Sequence, residues 1–343
     1  NVFFNTNVSV GYKSEKLDYR NSLLNTSVKQ YNWVSGLSLN MGFTINKYSF
    51  YGTITSKMET PDLYSKITRS DNSNPLAISL GNPNLKNSRK TDISLTFSAN
   101  NNRRFNLPMA FININIHQNA VANGFTYNPT TGVYTYKPQN VKGNWYGNIG
   151  LYDTFPLDNK NNFTLVNAIV YSYNHNVDFT GMTGQAESIL SKVNNHWLED
   201  NLSLNYQKGG LTCSLVGEMK WRYANSRREN FSTIRTLDFN YGMLGSYKFK
   251  FGLETGMDLK MFSRRGYSDP LINANDLICN VYISKSFLKG KLAAKLEGYD
   301  IFHQLKSISY EINGQGKTET RFNAIPNYLM LHLIYKMNIS GKK

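Results

Sequence analysis

Cysteine is nearly absent from this chain of 343 residues, which holds only Cys213 and Cys279. Two thiols cannot frame a disulfide-stapled fold, and neither stands at metal-ligand spacing. Both sit among apolar alternates (Leu211 and Leu215; Leu277 and Val281) and read as small core or lipid-facing residues. No run of eighteen apolar residues occurs, which excludes a membrane-crossing helix. Linkers, low-complexity tracts and composition breaks are also missing, although 343 residues would ordinarily suggest two or three domains. One large sheet accounts for an unbroken chain better than several sandwiches do. Acidic side chains are few, 23 against 38 Lys and Arg, giving a formal charge of +15. That excess suits either attraction to polyanions or lysines that line a wet interior and cap strand ends. The basic residues are scattered rather than clustered on one face, so no nucleic-acid partner is expected.

What is abundant is alternation. Phe111-Ile112-Asn113-Ile114-Asn115-Ile116-His117 places isoleucines on one face and polar residues on the other. Leu202 to Gln207 repeats the pattern, with Leu202 and Leu204 against Ser203 and Asn205. From Phe249 to Met261, Phe251, Leu253, Met257 and Leu259 oppose Lys250, Glu254, Asp258 and Lys260. A period of two marks strands with one apolar and one wet face. A soluble sandwich buries the apolar face in a core; a membrane barrel turns it to lipid and its charges to a watery lumen. Hydrophobic content of 40% with 23 Tyr and 19 Phe fits the second arrangement, in which only alternate residues meet lipid and aromatic rings gather at the interfaces.

The alternation draws strands at 2–12, 31–45, 47–58, 86–100, 105–122, 131–156, 160–178, 192–207, 211–225, 229–246, 249–263, 273–287, 291–301 and 327–339. That is an all-β, antiparallel transmembrane barrel of about fourteen strands, an even number as in bacterial barrels. Tight turns at Asn46, Asn101–Arg103, Asp158–Lys160, Gly209–Gly210, Tyr247–Lys248 and Leu288–Gly290 alternate with longer excursions at 13–30, 59–85, 123–131, 179–191, 264–272 and 302–326. Short periplasmic turns and long external loops sort in that way. The amphipathic strands at 2–12 and 327–339 are expected to pair and close the sheet, since open edges are costly in lipid.

Two stretches carry a family resemblance. Pro61-Asp62-Leu63-Tyr64, followed by Leu80-Gly81-Asn82-Pro83-Asn84-Leu85-Lys86, resembles the external-loop passage of TonB-dependent receptor barrels, with Asn87 and Ser88 where Pro and Glu are more usual. Thr131-Gly132-Val133, Asn140 to Trp145, and the tail from Gly298 through Glu319-Thr320-Arg321 to Leu331 resemble the Gram-negative outer-membrane β-barrel branch. The resemblance implies active uptake of a scarce nutrient (a metal chelate, vitamin, glycan or peptide) through a barrel of about twenty-two strands with an N-terminal plug. Residues 1–343 then read as one barrel domain, the C-terminal part of a larger barrel without its plug. The opening Asn1-Val2-Phe3-Phe4, with neither initiator Met nor signal peptide, is expected of a mature chain or a fragment. Implied partners are outer-membrane lipid and lipopolysaccharide, the nutrient, and the TonB complex through regions not seen here. A self-contained passive channel of about fourteen strands is the alternative, and a soluble adhesion protein a third reading that leaves the sorted turns unexplained.

Catalytic and cofactor motifs do not assemble. Gly314-Gln315-Gly316-Lys317-Thr318 has Glu311 where a phosphate-binding loop needs Gly, so a polar loop is expected. The histidines at 117, 175, 196, 303 and 332 lack metal spacing, and no G-x-S-x-G elbow occurs. No enzyme activity, metal or cofactor is expected. Ligand contacts are sought instead in loops: Tyr64, Lys66 and Arg69 in the longest loop, the pair Arg227 and Arg228, and the pair Arg264 and Arg265 with Tyr267. Arginine pairs suit an anionic ligand or a lipopolysaccharide phosphate, or simply a solvated loop tip.

Overall fold

A computed structural model describes residues 1–20, 25–99, 108–182, 189–228, 231–268, 270, 272–305, 308–312, 317–321, 323, 325 and 327–336. The chain opens with β1 (Val2–Arg20), β2 (Asn25–Ile45) and β3 (Tyr48–Glu59). A four-residue helix, α1 (Leu63–Lys66), and two short strands, β4 (Ser70–Asp71) and β5 (Ala77–Leu80), fill the next loop. The sheet resumes with β6 (Ser88–Ala99) and β7 (Met109–Gln118), and β8 (Ala120–Asn128) and β9 (Val133–Val141) form a hairpin. Then come β10 (Asn144–Pro156), β11 (Phe163–Met182), β12 (Ile189–Lys208), β13 (Leu211–Ser226) and β14 (Ile234–Lys248). The tail holds β15 (Leu253–Arg265), β16 (Asn275–Phe287), β17 (Leu292–Tyr299), a separate ribbon of β18 (Ile308–Ile312) and β19 (Lys317–Arg321), and β20 (Tyr328–Tyr335).

Eighteen of these strands share one sheet, not the expected fourteen. The additional four, β4, β5, β8 and β9, belong to loop structure; the remainder pair antiparallel as a continuous meander from β1 to β20. Two contacts depart from the antiparallel rule: β8 runs parallel to the end of β11, and β5 runs parallel to β9. No helix among the described residues is long and apolar enough to cross a membrane.

The expected closure is not formed. No pairing joins β1 to β20 among the described residues, and Met337 lies outside them. Length gives the reason: β20 has 8 residues, matched to the 8 of β17, whereas β1 presents 19. Pairing the two would leave more than half of the β1 edge without hydrogen bonds.

Other expectations shift locally. Much of the excursions at 13–30 and 179–191 is strand among the described residues, because β1 with β2 and β11 with β12 run on past the sheet's middle by pairing with one another. Residues 123–128 belong to β8, paired with β9. The single strand at 131–156 is two, broken at Gly143, whose φ of +102° only glycine adopts readily. The turn placed at Tyr247–Lys248 lies instead at 249–252, where Gly252 N–H bonds Phe249 O at 3.0 Å. The turn at Asn101–Arg103 and the Gly314–Gly316 segment fall outside the described residues.

Register converts the alternation into two continuous faces. Ser94, Asn113 and Asn148 are cross-strand neighbours, and so are Leu95, Ile112 and Ile149 one residue away. The polar row is bonded across strands: Ser94 Oγ donates to Asn113 Oδ1 at 2.7 Å, Asn113 Nδ2 to Asn148 Oδ1 at 2.9 Å, and Asn148 Nδ2 to Tyr146 Oη at 2.9 Å. The apolar face is uncovered. Ile112, Leu202, Leu329, Leu331 and Leu333 are exposed, while Ile114, Ile116, Leu204 and Leu253 on the same face are half-buried by their neighbours. Asn113, Asn115, Ser203, Asn205, Glu254, Asp258 and His332 take the opposite face.

Aromatic rings border the apolar face at two levels. Near the short turns, Phe43 stacks on Phe50 at 5.2 Å, Tyr48 on Phe97 at 5.9 Å, and Phe163 meets Tyr206 at 4.5 Å. Toward the loops, Tyr12 meets Trp33 at 5.3 Å, Trp145 meets Tyr173 at 4.7 Å, and His196 meets Tyr223 at 5.6 Å. On each of four strands the two levels are ten positions apart: Trp33 and Phe43, Trp145 and Phe155, Phe163 and Tyr173, His196 and Tyr206.

Candidate functional site

Among the described residues, four clefts lie along the polar face and toward its loop end. Three of them form a trough across β12 to β17. The first, about 300 Å³, has Glu199, Glu218, Lys220, Asp238, Asn240 and Arg264 on its walls. The second, about 270 Å³, shares Phe262 with it, and the third, about 330 Å³, shares Asp258, Asn280 and Tyr299 with the second. Every Lys and Arg of the trough is paired with an acid, while Glu218 is met by the Asn240 amide and Asp238 by the Tyr267 hydroxyl. Lys220 pairs with Glu199, Arg264 with Asp276 at 3.4 Å, Lys260 with Asp258 at 3.8 Å and Lys295 with Glu297 at 2.5 Å.

Period two also decides the fate of Arg264 and Arg265, which lie at the end of β15 rather than in a loop tip. Arg264 faces the polar side and Asp276. Arg265 takes the opposite face, over the Phe239 ring at 5.8 Å, and donates to Asn275 Oδ1 at 2.8 Å. Adjacent strand residues point apart, so the pair cannot clamp one anion. Arg228 of the other pair lies over Phe231 at 5.6 Å.

Tyr267, in contrast, is built in. Its backbone N–H bonds Asn273 Oδ1 at 2.9 Å, and Asn273 Nδ2 returns to Tyr267 O at 2.8 Å. Its hydroxyl lies 2.8 Å from both carboxylate oxygens of Asp238 on the polar wall. Burial, and then that carboxylate, push the Tyr267 hydroxyl well above the ordinary tyrosine range.

Tyr64, Lys66 and Arg69 do come together, as scaffold of the 60–87 loop. The Arg69 guanidinium lies 3.8 Å from the Tyr64 ring centre and 3.1 Å from Asp71 Oδ2. Asp62 caps α1 by accepting from Ser65 N at 3.1 Å, and Lys66 Nζ donates to Leu85 O at 3.2 Å. Leu63, Ile67 and Leu85 of this loop are buried. The motif residues fasten it: Asn82 Nδ2 donates to Pro138 O at 2.8 Å, and Lys86 N to Asn140 Oδ1 at 2.8 Å, so the loop is tied to the β8–β9 hairpin. Gly81 is required there, because a Cβ would stand 1.6 Å from Ile67 O.

Sequence reasoning did not single out Asp238, or the amides Asn174, Asn176 and Asn195 on the polar face of β11 and β12. A signal was present in Asn174-His175-Asn176-Val177-Asp178, where polar residues recur at every second position. Cys213 and Cys279 are free and sit on the apolar face, as their neighbours implied. Among the described residues no group of three or more His, Cys, Asp or Glu is placed to hold a metal ion.

No family model matches the chain, and no curated protein matches it. Among solved structures it is similar to the crystal structure of a Pseudomonas aeruginosa FadL homologue, at 10% identity and a TM-score of 0.34, over 93% of this chain and 85% of that one. A likeness that distant carries no functional weight.

Proposed function

We propose that the chain forms the wall of an outer-membrane β-barrel that carries a scarce nutrient into a Gram-negative cell. One observation carries this reading: a continuous, uncovered apolar face bordered by aromatic rings at two levels ten positions apart. Ten residues span ~33 Å of strand, and a tilt of about 40° reduces that to ~25 Å, the height of the apolar band on such barrels. Water offers no counterpart to that face, and lipid does.

Within this class, the 61–86 passage favours the TonB-dependent receptor type, in which the nutrient is a metal chelate, vitamin, glycan or peptide. The lack of a β1–β20 pairing among the described residues agrees with it, because unpaired N–H and C=O groups in lipid cost several kcal/mol each and are relieved by further strands. The fourteen-strand meander favours the second reading, a passive channel that closes on itself in the membrane. Uptake by cells producing the protein separates the two. Flux that stops when the proton gradient is collapsed supports the receptor, and flux that persists supports the channel. Protease added outside intact cells should cut the 60–87 loop and spare the turn at 157–162; the opposite pattern, or no surface cleavage, counts against an outer-membrane wall.

A further inference from the structure

Under the base of the β8–β9 hairpin, on the polar face of β7, β10 and β11, lies a cleft of about 420 Å³. Asn174, Asn176, Asp178, His117 and Tyr146 contribute to its lining, and Ala120, Val121 and Ala122 of the hairpin form an apolar side. Asn144, which also lines it, is spent on structure: it bonds both the N–H and the C=O of Val177, at 2.7 and 3.1 Å. Asn115 is likewise occupied by Asp92.

Asn174 and Asn176 are not. Neither side-chain amide bonds any described residue. Asn195, the cross-strand neighbour of Asn174, is 2% exposed and has both its amide atoms without a protein partner. Asn174 and Asn176 are half-buried on the lining with their amides open to the cleft, where a ligand's hydroxyls or amides could meet them; Asn195 lies beside them outside the lining. The ionisable groups lining the cleft are engaged already: Asp178 Oδ1 accepts from Phe179 N at 2.7 Å, and His117 Nε2 lies 3.3 Å from Ser88 Oγ. Among the described residues no Lys or Arg lines the cleft, so an anionic ligand would meet no counter-charge there, and Asp178 adds a hydrogen-bond acceptor beside the amides.

We propose that this cleft binds a neutral saccharide unit. A primary amide offers donors and an acceptor side by side, which suits neighbouring hydroxyls on a sugar ring. The alanines and valine of the hairpin supply the apolar side that a pyranose C–H face needs. The volume is near the lower end for small-molecule sites, roughly 300–1,000 Å³, and so suits one or two rings better than an extended peptide. The inference rests on the polar face being the wet interior of a barrel, and it names the class of nutrient.

The test uses the full chain purified in detergent micelles, with maltotriose, cellotriose and N-acetylated chitotriose as probes and tri-alanine amide as the peptide arm. Saturation-transfer NMR should show at least one trisaccharide bound. Asn174→Ala with Asn176→Ala should weaken it by roughly tenfold, a change of about one decade in affinity. Asn176→Asp, which keeps shape and adds charge, provides a second variant if the double replacement disturbs folding, and it too should weaken binding. Binding of no probe, equal binding by the variants, or binding of the peptide alone would overturn the proposal. If the protein inserts in bilayers and conducts ions while no sugar binds, the saccharide inference falls and the barrel reading stands. If it does not insert, the barrel reading falls.

Discussion

The hydroxyl of Tyr267 sits 2.8 Å from each carboxylate oxygen of Asp238, joining the loop after β15 to the polar wall of β14. The contact holds only while the phenol keeps its proton. In the folded chain that proton is held more tightly than in an unfolded one, where the phenol titrates near pH 10. The stabilisation is therefore fully present below about pH 10 and is lost as pH rises above it toward the folded value. Protease sensitivity of the 266–274 loop should stay low up to about pH 10 and climb beyond it. Tyr267→Phe should be sensitive at every pH; a variant that behaves as wild type would show the contact to be idle.

Leu331 lies in β20 between Leu329 and Leu333, all three on the uncovered apolar face. Leu331→Arg should cost ~2–4 kcal/mol of folding stability in a bilayer if the site is near mid-depth. The neighbour His332, on the polar face, should accept Arg with a far smaller loss. Equilibrium unfolding in lipid vesicles measures both, and equal losses would contradict the assignment of faces.

Gly81→Ala places a methyl where Ile67 O already stands. The expected outcome is a detached 60–87 loop with unchanged strand content, seen as rapid cleavage near Lys66 or Arg69 while the circular dichroism of the sheet persists. Slow cleavage at the wild-type rate would mean that the loop has another anchor.

Cysteines placed at Val8 in β1 and Leu331 in β20, after Cys213 and Cys279 are replaced by Ala, report on the two edges. If further strands complete the barrel, a short cross-linker applied in membranes should not join them. Efficient joining would establish a self-closed channel.

Much of the fold was legible because burial by lipid and wetting by a lumen both act with the strand's own period. Ile112, Leu202 and Leu331 declared their face by that rule alone. Where neither acts, the signal fades. Lys16 and Lys29 stand opposite each other in strands that extend past the aromatic level, held by backbone pairing that leaves no apolar pattern. The β8–β9 hairpin merged with its neighbours in the sequence because alternation continues through Asn119 and Gly143, and only their positive φ angles mark the breaks. The candidate cleft was half visible. Asn174 and Asn176 show as alternates, but the Ala120–Ala122 side reaches them only through the placing of the hairpin over β11, which no local pattern encodes.

The central claim is that one face of this sheet meets lipid and the other water. Spin labels placed one at a time from Leu329 to Ile334, in protein reconstituted into lipid vesicles, test it most directly. Collisions with oxygen, which concentrates in lipid, should peak at 329, 331 and 333, and collisions with a water-soluble nickel chelate at 330, 332 and 334. A profile without that period of two, or one in which nickel reaches every position, would contradict the account.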